Sequence, residues 1–463
     1  MERINSTPSL QQTSFSSETK KTNAQAKPKS QPQPKDQVSL GEDLVMPDPI
    51  KPHKKWLFIN YLGADCNLTD YQLANIDQQE LIGSDKNTHL VAYIDVGEQK
   101  HSYGNLKHCS AYYITKDDKL KELNSELIQD FGKVNMADHN TLTKYVVDAI
   151  GKYPADHVCL IMNSHGGGFT GIIADDSGKT GAMPIPQMRE ALENAQKITG
   201  KKLDIIGFDA CLMAEAEVAY ELKNTANIML ASEETENGPG WSYDQMLGGS
   251  GNNMLRNKGF VKAIKTVQDS SIYKINVGPA EFAKLVVDTN KQNSDDIPTF
   301  SAIDLTKMND LKDSLNDFAK TVRASDDKKT VKNAINAAQS FGGGWAPYCD
   351  IRDLGHIADL IIDGSKDEKL KESAKSVKEQ LETAVLHNAV NEKDYANSQG
   401  LSIFAPLDKS NIKKNYEALQ FAQDTEWDEM LKELGIEKDP KYTINSIIID
   451  NNFEYWPDGS VRN

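Results

Sequence analysis

Two short segments of the sequence place a histidine and a cysteine where strands of a sheet would end. His165 lies in segment 163–168, which reads NSHGGG, and Cys211 lies in segment 209–214, which reads DACLMA. Each segment directly follows a run of apolar residues that predicts a buried strand. A cysteine thiol beside an imidazole can attack a carbonyl carbon, so the pair predicts nucleophilic catalysis through a covalent intermediate.

The elements predicted around Cys211 favour a reactive thiolate. A helix is predicted to begin at Leu212, and the positive end of its dipole would stabilise negative charge on the sulfur. The glycines of segment 166–168 let backbone amides approach a substrate closely. One such amide, together with the amide of Cys211, could stabilise a tetrahedral oxyanion.

Each of these residues taken alone also has a plainer interpretation. A cysteine after a buried strand is by default a small core residue, as we expect for Cys159, and a lone histidine is more often structural. A glycine triplet without the spacing of a nucleotide-binding motif indicates a turn. The catalytic interpretation depends on the joint arrangement, because the carboxyl ends of parallel strands would bring His165 and Cys211 to the same rim of the sheet.

Alternating strands and helices predict the framework that positions the two segments. Asp138 and Gly200 are expected to cap two of the helices. The alternation predicts an α/β fold with a mostly parallel sheet and helices on both faces. The predicted strands span residues 56–61, 90–96, 158–162, 203–208 and 228–231, and the predicted helices span about 68–82, 142–150, 186–199 and 212–223.

The chain is expected to divide into four regions. They are a disordered polar tail at 1–52, a catalytic core at 53–250, a mainly helical C-terminal subdomain with added strands at 251–437, and a C-terminal tail at 438–463. Within the third region, amphipathic helices are predicted near 305–323, 329–340, 366–387 and 410–433, with strand-like runs at 299–304 and 401–404.

Composition excludes several classes of partner. The formal charge of −16 over 463 residues argues against a nucleic-acid surface and against attachment to an anionic membrane. Five scattered cysteines, without zinc-type spacing, predict neither a disulfide framework nor a metal site. No apolar run approaches the ~20 residues of a membrane helix, and no signal peptide is recognisable. We therefore expect a cytoplasmic protein, or one exported by a non-standard route.

The two segments resemble the active-site motifs of clostripain-family peptidases. The resemblance extends over about residues 54–435. It implies a caspase-like fold, a catalytic dyad of His165 and Cys211, and the amides of Gly166 and Cys211 as oxyanion donors. Other segments similar to blocks of that family are 56–67, 134–136, 153–157, 231–236, 301–305 and 400–406.

Asp209 bears on substrate specificity. It lies two residues before Cys211, so its carboxylate could line the pocket for the residue before the cleaved bond. In the clostripain family the matching aspartate is associated with cleavage after Arg or Lys, and bidentate pairing with a guanidinium would favour Arg. Asp209 could also cap the helix predicted after Cys211.

Four further acidic residues follow the fifth predicted strand. Glu236 and Asp244 could add negative potential to the pocket, and so could Glu233 and Glu234. A solvated acidic loop is the more common explanation for most of them.

Lys179 is a candidate site of self-cleavage. It lies in segment 174–181, whose small, polar and glycine-flanked residues predict an exposed loop, and it is the sole basic residue between His165 and Arg189. Clostripain-like enzymes resemble caspases in being processed between the His and Cys motifs. We therefore expect cleavage after Lys179 to release a loop that covers the pocket, although a surface lysine in a flexible turn is an equal alternative.

These observations predict a cysteine endopeptidase that cleaves peptides and proteins after basic residues and prefers Arg to Lys. Two other functions remain open: a catalytically silent caspase-like scaffold that binds a partner in the same cleft, and a transpeptidase or ligase that uses the same dyad. The sequence requires no cofactor and leaves calcium dependence open. We expect a monomer.

Overall fold

The computed structural model describes most of the chain between Leu44 and Gly435. Lys179, Asp244 and the tail at 438–463 lie outside the described residues, as does most of the tail at 1–52. The described residues are 44–98, 100–104, 106–119, 121–178, 181–241, 259–270, 277–290, 297–342, 350–391, 393–406, 412 and 414–435.

A nine-stranded sheet forms the centre of this part of the chain. The strands described, including two that form a separate small sheet, are β1 (Lys54–Gly63), β2 (Thr88–Asp95), β3 (Cys109–Tyr113), β4 (Glu126–Gly132), β5 (Ala155–Asn163), β6 (Leu203–Asp209), β7 (Ala226–Ala231), β8 (Thr299–Asp304), β9 (Ile351–Asp353), β10 (Val385–Val390) and β11 (Ser402–Phe404). The order in the large sheet is β10-β8-β7-β6-β5-β1-β2-β3-β4. Only β3 and β8 among these nine run against the others, so the sheet is mostly parallel, as the sequence predicts.

Helices cover both faces of this sheet. They are α1 (Thr69–Glu80), α2 (His139–Lys152), α3 (Ile185–Thr199), α4 (Ala216–Leu222), α5 (Gly259–Asp269), α6 (Pro279–Asn290), α7 (Met308–Ala324), α8 (Lys328–Ala337), α9 (Leu354–Gly364), α10 (Glu368–Ala384), α11 (Lys414–Glu417), α12 (Gln420–Asp424) and α13 (Trp427–Leu434). Successive residues of β1 point to opposite faces. Leu57 and Ile59 join the core under α2 and α3, whereas Trp56 and Phe58 join the core under α1 and α6.

The five predicted strands and their helices correspond to observed elements, with two additions. Asp138 caps α2 by accepting a hydrogen bond from the Asn140 amide, and Gly200 ends α3 with a φ of 68°. Strands β3 and β4 were not predicted from the sequence. Their residues alternate weakly between apolar and polar, and β4 is largely exposed at the sheet edge, so local hydrophobicity carries little signal there.

The part of the chain past residue 250 adds to the same sheet. Strands β8 and β10 extend it at one edge, whereas β9 and β11 form a separate two-stranded sheet. The proposed boundaries at residues 52, 250 and 437 stay predictions.

The single helix predicted over 410–433 is wrong, because the described residues form α11, α12 and α13 instead. Leu419 and Thr425 adopt extended conformations between them. The Gln420 amide donates to the Glu221 carboxylate, so a contact distant in sequence replaces a helical hydrogen bond.

Candidate active site

The ends of β5 and β6 bring the two candidate catalytic residues to one cavity. Asn163, the last residue of β5, is in register with Asp209, the last residue of β6. His165 and Cys211 each follow two residues later, and both line a cavity of about 260 Å³ at this rim. The structure therefore brings together the two residues that the sequence places at neighbouring strand ends.

Gly166 lies directly against the backbone of the Cys211 segment. A Cβ at this position would stand 2.6 Å from the Cys211 carbonyl oxygen, so glycine is required for the contact. The hairpin after His165 is held by a hydrogen bond from the Ile173 amide to the His165 carbonyl. Gly166 thus allows the His and Cys segments to pack backbone to backbone.

Burial disfavours the thiolate form of Cys211 in this structure. Burial is the main reason that the pKa of Cys211 is raised to about 12. The Glu236 amide donates a hydrogen bond to Sγ at 3.4 Å, which lowers the pKa, whereas the charges of Glu236 and Glu234 raise it. The expectation that a helix dipole lowers this pKa is wrong, because α4 begins only at Ala216. If Cys211 acts as a nucleophile, a base must therefore remove the proton from its thiol.

The residue after Cys211 adopts an unusual backbone conformation. Leu212 has a φ of 66°, which is costly for a residue with a side chain. Its amide donates to the Glu234 carbonyl at 3.2 Å, and its buried side chain packs against Phe341 and Ile351. These contacts hold the turn that presents Cys211 to the cavity.

His165 is bound by a side chain that the sequence did not single out for chemistry. Its Nε2 lies 2.6 Å from Oδ1 of Asn67, which follows β1 and also lines the cavity. The sequence feature that could have identified Asn67 is its position, because it comes shortly after β1, which ends at the same rim of the sheet as β5 and β6.

Two buried carboxyl groups line the same cavity. Asp209 is buried, and its Oδ2 accepts a hydrogen bond from Asn163 Nδ2 at 2.5 Å; both carboxylate oxygens of Glu236 are also buried. Burial raises the pKa of Asp209 to about 7. Burial and the neighbouring Asp209 carboxyl raise the pKa of Glu236 well above its usual range. Ionisation of one of these two neighbouring carboxyl groups disfavours ionisation of the other.

Asp209 does not cap a helix. The N-cap position of α4 is occupied by Glu215, six residues further along the chain. Gly240 approaches Asp209 so closely that a Cβ there would lie 2.4 Å from Oδ1, and its φ is 67°. The Asp209 carboxyl is thus enclosed at the cavity and is absent from the helix terminus.

The model of the clostripain family matches residues 60–456 of the sequence. This chain belongs to the clostripain family. It is therefore a cysteine-type endopeptidase, as the motifs of residues 163–168 and 209–214 led us to expect.

Similar proteins agree with this assignment. Clostripain of Hathewaya histolytica is 25% identical over 410 residues, which cover 76% of this chain and 75% of that protein. A secreted C11 cysteine protease from Bacteroides thetaiotaomicron, solved with an irreversible peptide inhibitor, is 19% identical with a TM-score of 0.56, covering 81% of this chain and 100% of that one. An inactive zymogen C11 protease from Parabacteroides distasonis is 18% identical with a TM-score of 0.54, covering 81% and 99%. These structures confirm the fold class.

Two of the acidic residues after β7 in this clostripain-family protease are structural anchors. Glu234 is buried and accepts hydrogen bonds from the Gly342 amide at 2.8 Å and from the Tyr395 hydroxyl at 3.1 Å. Glu233 is buried and accepts from the Gly400 amide at 3.1 Å. The interpretation of these two residues as a solvated loop is wrong, because each satisfies backbone amides of the C-terminal part of the chain.

The segment that leads to Lys179 is fixed at the same end of the sheet. The Ser177 amide donates to the Asp65 carboxylate at 3.0 Å, and the Gly178 amide donates to the Asp175 carboxylate at 2.6 Å. Asp176 and Ser177 are exposed, whereas Asp175 is buried, so the exposed part of this predicted loop is shorter than its sequence suggests.

Within the described residues, no group of three or more His, Cys, Asp or Glu side chains is arranged to hold a metal ion. No helix in the same part of the chain is long and apolar enough to cross a membrane.

Proposed function

We propose that this protease cleaves peptide bonds after Arg, and less efficiently after Lys, with Cys211 as nucleophile and His165 as acid and base. The observation that carries the proposal is the shared cavity. One cavity is lined by the thiol residue, the imidazole and the carboxyl pair of Asp209 and Glu236. Peptides or proteins with accessible basic residues are the substrates that fit this charge.

The proposed reaction starts from a protonated thiol. His165 takes the proton from Cys211 Sγ as the sulfur bonds to the scissile carbonyl carbon, and the Gly166 and Cys211 amides stabilise the oxyanion. His165 then protonates the leaving amine as the C–N bond breaks, which yields a thioester. Water, deprotonated by His165, attacks the thioester and releases the acid, and the proton returns to the thiol.

The carboxyl pair accounts for a preference for Arg. A guanidinium presents parallel N–H donors that two carboxylates can accept together, whereas the ammonium of Lys is a point charge. When a basic side chain binds, the proton shared by Asp209 and Glu236 leaves. A neutral carboxylic acid is then replaced by an ion pair between carboxylate and cation in a partly desolvated site. The cation therefore gains most when both carboxylates are ionised.

The proposed specificity is tested with matched fluorogenic peptides that differ only in the residue before the reporter. Wild type should hydrolyse the Arg peptide with a kcat/KM about tenfold above that of the Lys peptide, which corresponds to about 1.4 kcal/mol. A Leu peptide should react at least about a hundredfold more slowly than the Arg peptide. Equal rates on the Arg and Leu peptides would refute the basic pocket.

Self-cleavage after Lys179 is part of the proposal. The chain is exposed at Asp176 and Ser177, and the Ser177 amide is bonded to Asp65, just past the end of β1, so Lys179 follows closely on a segment held at the catalytic rim. The Parabacteroides distasonis protease was solved as an inactive zymogen, which supports activation by processing in this family. We expect cleavage to open access to the cavity.

Mass spectrometry of purified protein stored with a reducing agent tests this step. Wild type should yield fragments 1–179 and 180–463, while Cys211→Ala and Lys179→Ala remain whole. Lys179→Arg is the matched control and should still be cut, because it keeps the basic residue. An intact wild-type chain with full activity would show that no such activation occurs.

A further inference from the structure

The side chain of Asn67 forms a short hydrogen bond to the proposed acid and base. Its Oδ1 lies 2.6 Å from Nε2 of His165. The two residues are 98 positions apart in sequence and both line the active-site cavity. This contact joins the turn after β1 to the segment after β5.

The turn that carries Asn67 is held by several hydrogen bonds of its own. Thr69 Oγ1 donates within this turn, with the carbonyl oxygens of Ala64 at 2.6 Å and of Cys66 at 2.7 Å as acceptors. The Gln72 side chain donates to the Gly63 carbonyl at 3.0 Å. A residue on such a braced turn can hold a partner without first being ordered, which is what a catalytic support requires.

The same turn is also tied to the histidine segment. Ser164 Oγ donates to the Gly63 carbonyl at 2.9 Å and accepts from the Ala174 amide at 3.1 Å. Because Ser164 directly precedes His165, the backbone positions of Asn67 and His165 are set relative to each other independently of their side-chain contact. The hydrogen bond between the side chains therefore acts on the orientation of the imidazole ring.

The atoms involved determine the protonation of that ring. An amide oxygen can only accept a hydrogen bond, so Nε2 must carry a proton. A neutral His165 is then protonated on Nε2, and Nδ1 is its basic nitrogen. This assignment matters here because burial raises the pKa of the Cys211 thiol, so attack by its sulfur requires an available base.

We propose that Asn67 is a positioning residue that holds His165 in the Nε2-protonated tautomer with Nδ1 directed to the reaction. The inference rests on the proposed roles of His165 and Cys211. Asn67 acts through His165 and takes no part in the bond changes. Its loss should therefore reduce the rate of the chemical steps and leave peptide binding nearly unchanged.

Steady-state kinetics of Asn67→Ala provide the first test. We expect kcat to fall about 10- to 100-fold, the loss typical when a side chain that orients a functional histidine is removed, with KM changed by less than about threefold.

Asn67→Asp keeps an acceptor but adds a negative charge, which raises the pKa of the imidazole. The low-pH limb of the kcat/KM profile of Asn67→Asp should therefore move to higher pH, because His165 must be neutral to act as a base. Asn333→Ala, at an exposed position on α8, is the matched control and should behave as wild type.

Nitrogen NMR of histidine-labelled protein provides a second test that does not need activity. In the Cys211→Ala background, His165 should show a protonated Nε2, and adding Asn67→Ala should produce a mixture of tautomers; His165→Ala assigns the signals. An unchanged tautomer in that double variant, or a lowered melting temperature with unchanged kcat, would overturn the positioning role. If the tautomer depends on Asn67 while wild type hydrolyses no peptide, the proposed peptidase site fails and the positioning role stands.

Discussion

Cys211→Ala is expected to lower kcat/KM for peptide hydrolysis by at least about 10⁴-fold, because the substitution removes the atom that forms the thioester. His165→Ala should cause a loss of similar size, since the thiol has a pKa of about 12 and depends on a base. Hydrolysis of the Arg peptide by each purified variant, measured beside thermal unfolding, checks the result. Both variants should unfold cooperatively near the wild-type temperature.

Cys159→Ala is the matched control for the nucleophile. Cys159 is fully buried within β5 and belongs to the hydrophobic core under α1 and α6. Its truncation should cost roughly 1–2 kcal/mol of unfolding free energy and leave the activity of the folded protein unchanged. Wild-type hydrolysis by Cys211→Ala, or complete inactivity of folded Cys159→Ala, would contradict the assignment of Cys211.

Asp209→Asn is expected to lower kcat/KM for the Arg peptide by about 10²- to 10³-fold, in line with the 2–5 kcal/mol typical of truncating one partner of a buried charge pair. The slow hydrolysis of the Leu peptide should hardly change, because an uncharged side chain does not use the carboxylate. Glu236→Gln should act in the same direction. Parallel kcat/KM measurements on both peptides make the comparison, and equal losses on both would point to structural damage instead.

The same carboxyl pair predicts a pH dependence with a definite sign. Burial raises the pKa of Asp209 to about 7 and raises that of Glu236 well above its usual range, so the pair holds a proton at low pH. A basic side chain binds best to the ionised pair, and kcat/KM for the Arg peptide should therefore rise with pH through this region. The kcat/KM for the Leu peptide should not show this rise, because an uncharged side chain does not bind to the carboxyl pair. Glu190→Gln, an exposed acid on α3, is the control and should keep the wild-type profile.

The active site depends on residues far along the chain. Gly342 lines the cavity, and its amide donates to the Glu234 side chain. The backbone carbonyl of Glu234 in turn accepts from the amide of Leu212, which directly follows Cys211. Tyr395 also donates to Glu234. The C-terminal part of the chain thus braces the turn that presents Cys211, and the match to the family model includes this part of the chain.

Much of the fold could be predicted because its signals are local. Apolar runs identified β5 and β6, and the residues that follow these strands identified His165 and Cys211. Strands with both faces buried are continuous in hydrophobicity, and helix ends such as Asp138 and Gly200 carry capping chemistry within one turn. The exposed edge strand β4 and the broken helix over 410–433 had no comparable local signal.

By itself, the sequence determined the sheet-forming segments, the residue types at the two strand ends and the family to which the chain belongs. Only the tertiary structure decided that Asn67 binds His165 and that the Cys211 pKa is raised. It also decided the different positions of two acidic residues: Glu236 joins Asp209 at the cavity, whereas Glu234 anchors the C-terminal part of the chain. The physical reason is that pairing, burial and electrostatic interaction depend on distances between atoms, and residues separated by tens of positions in the chain acquire those distances only when it folds.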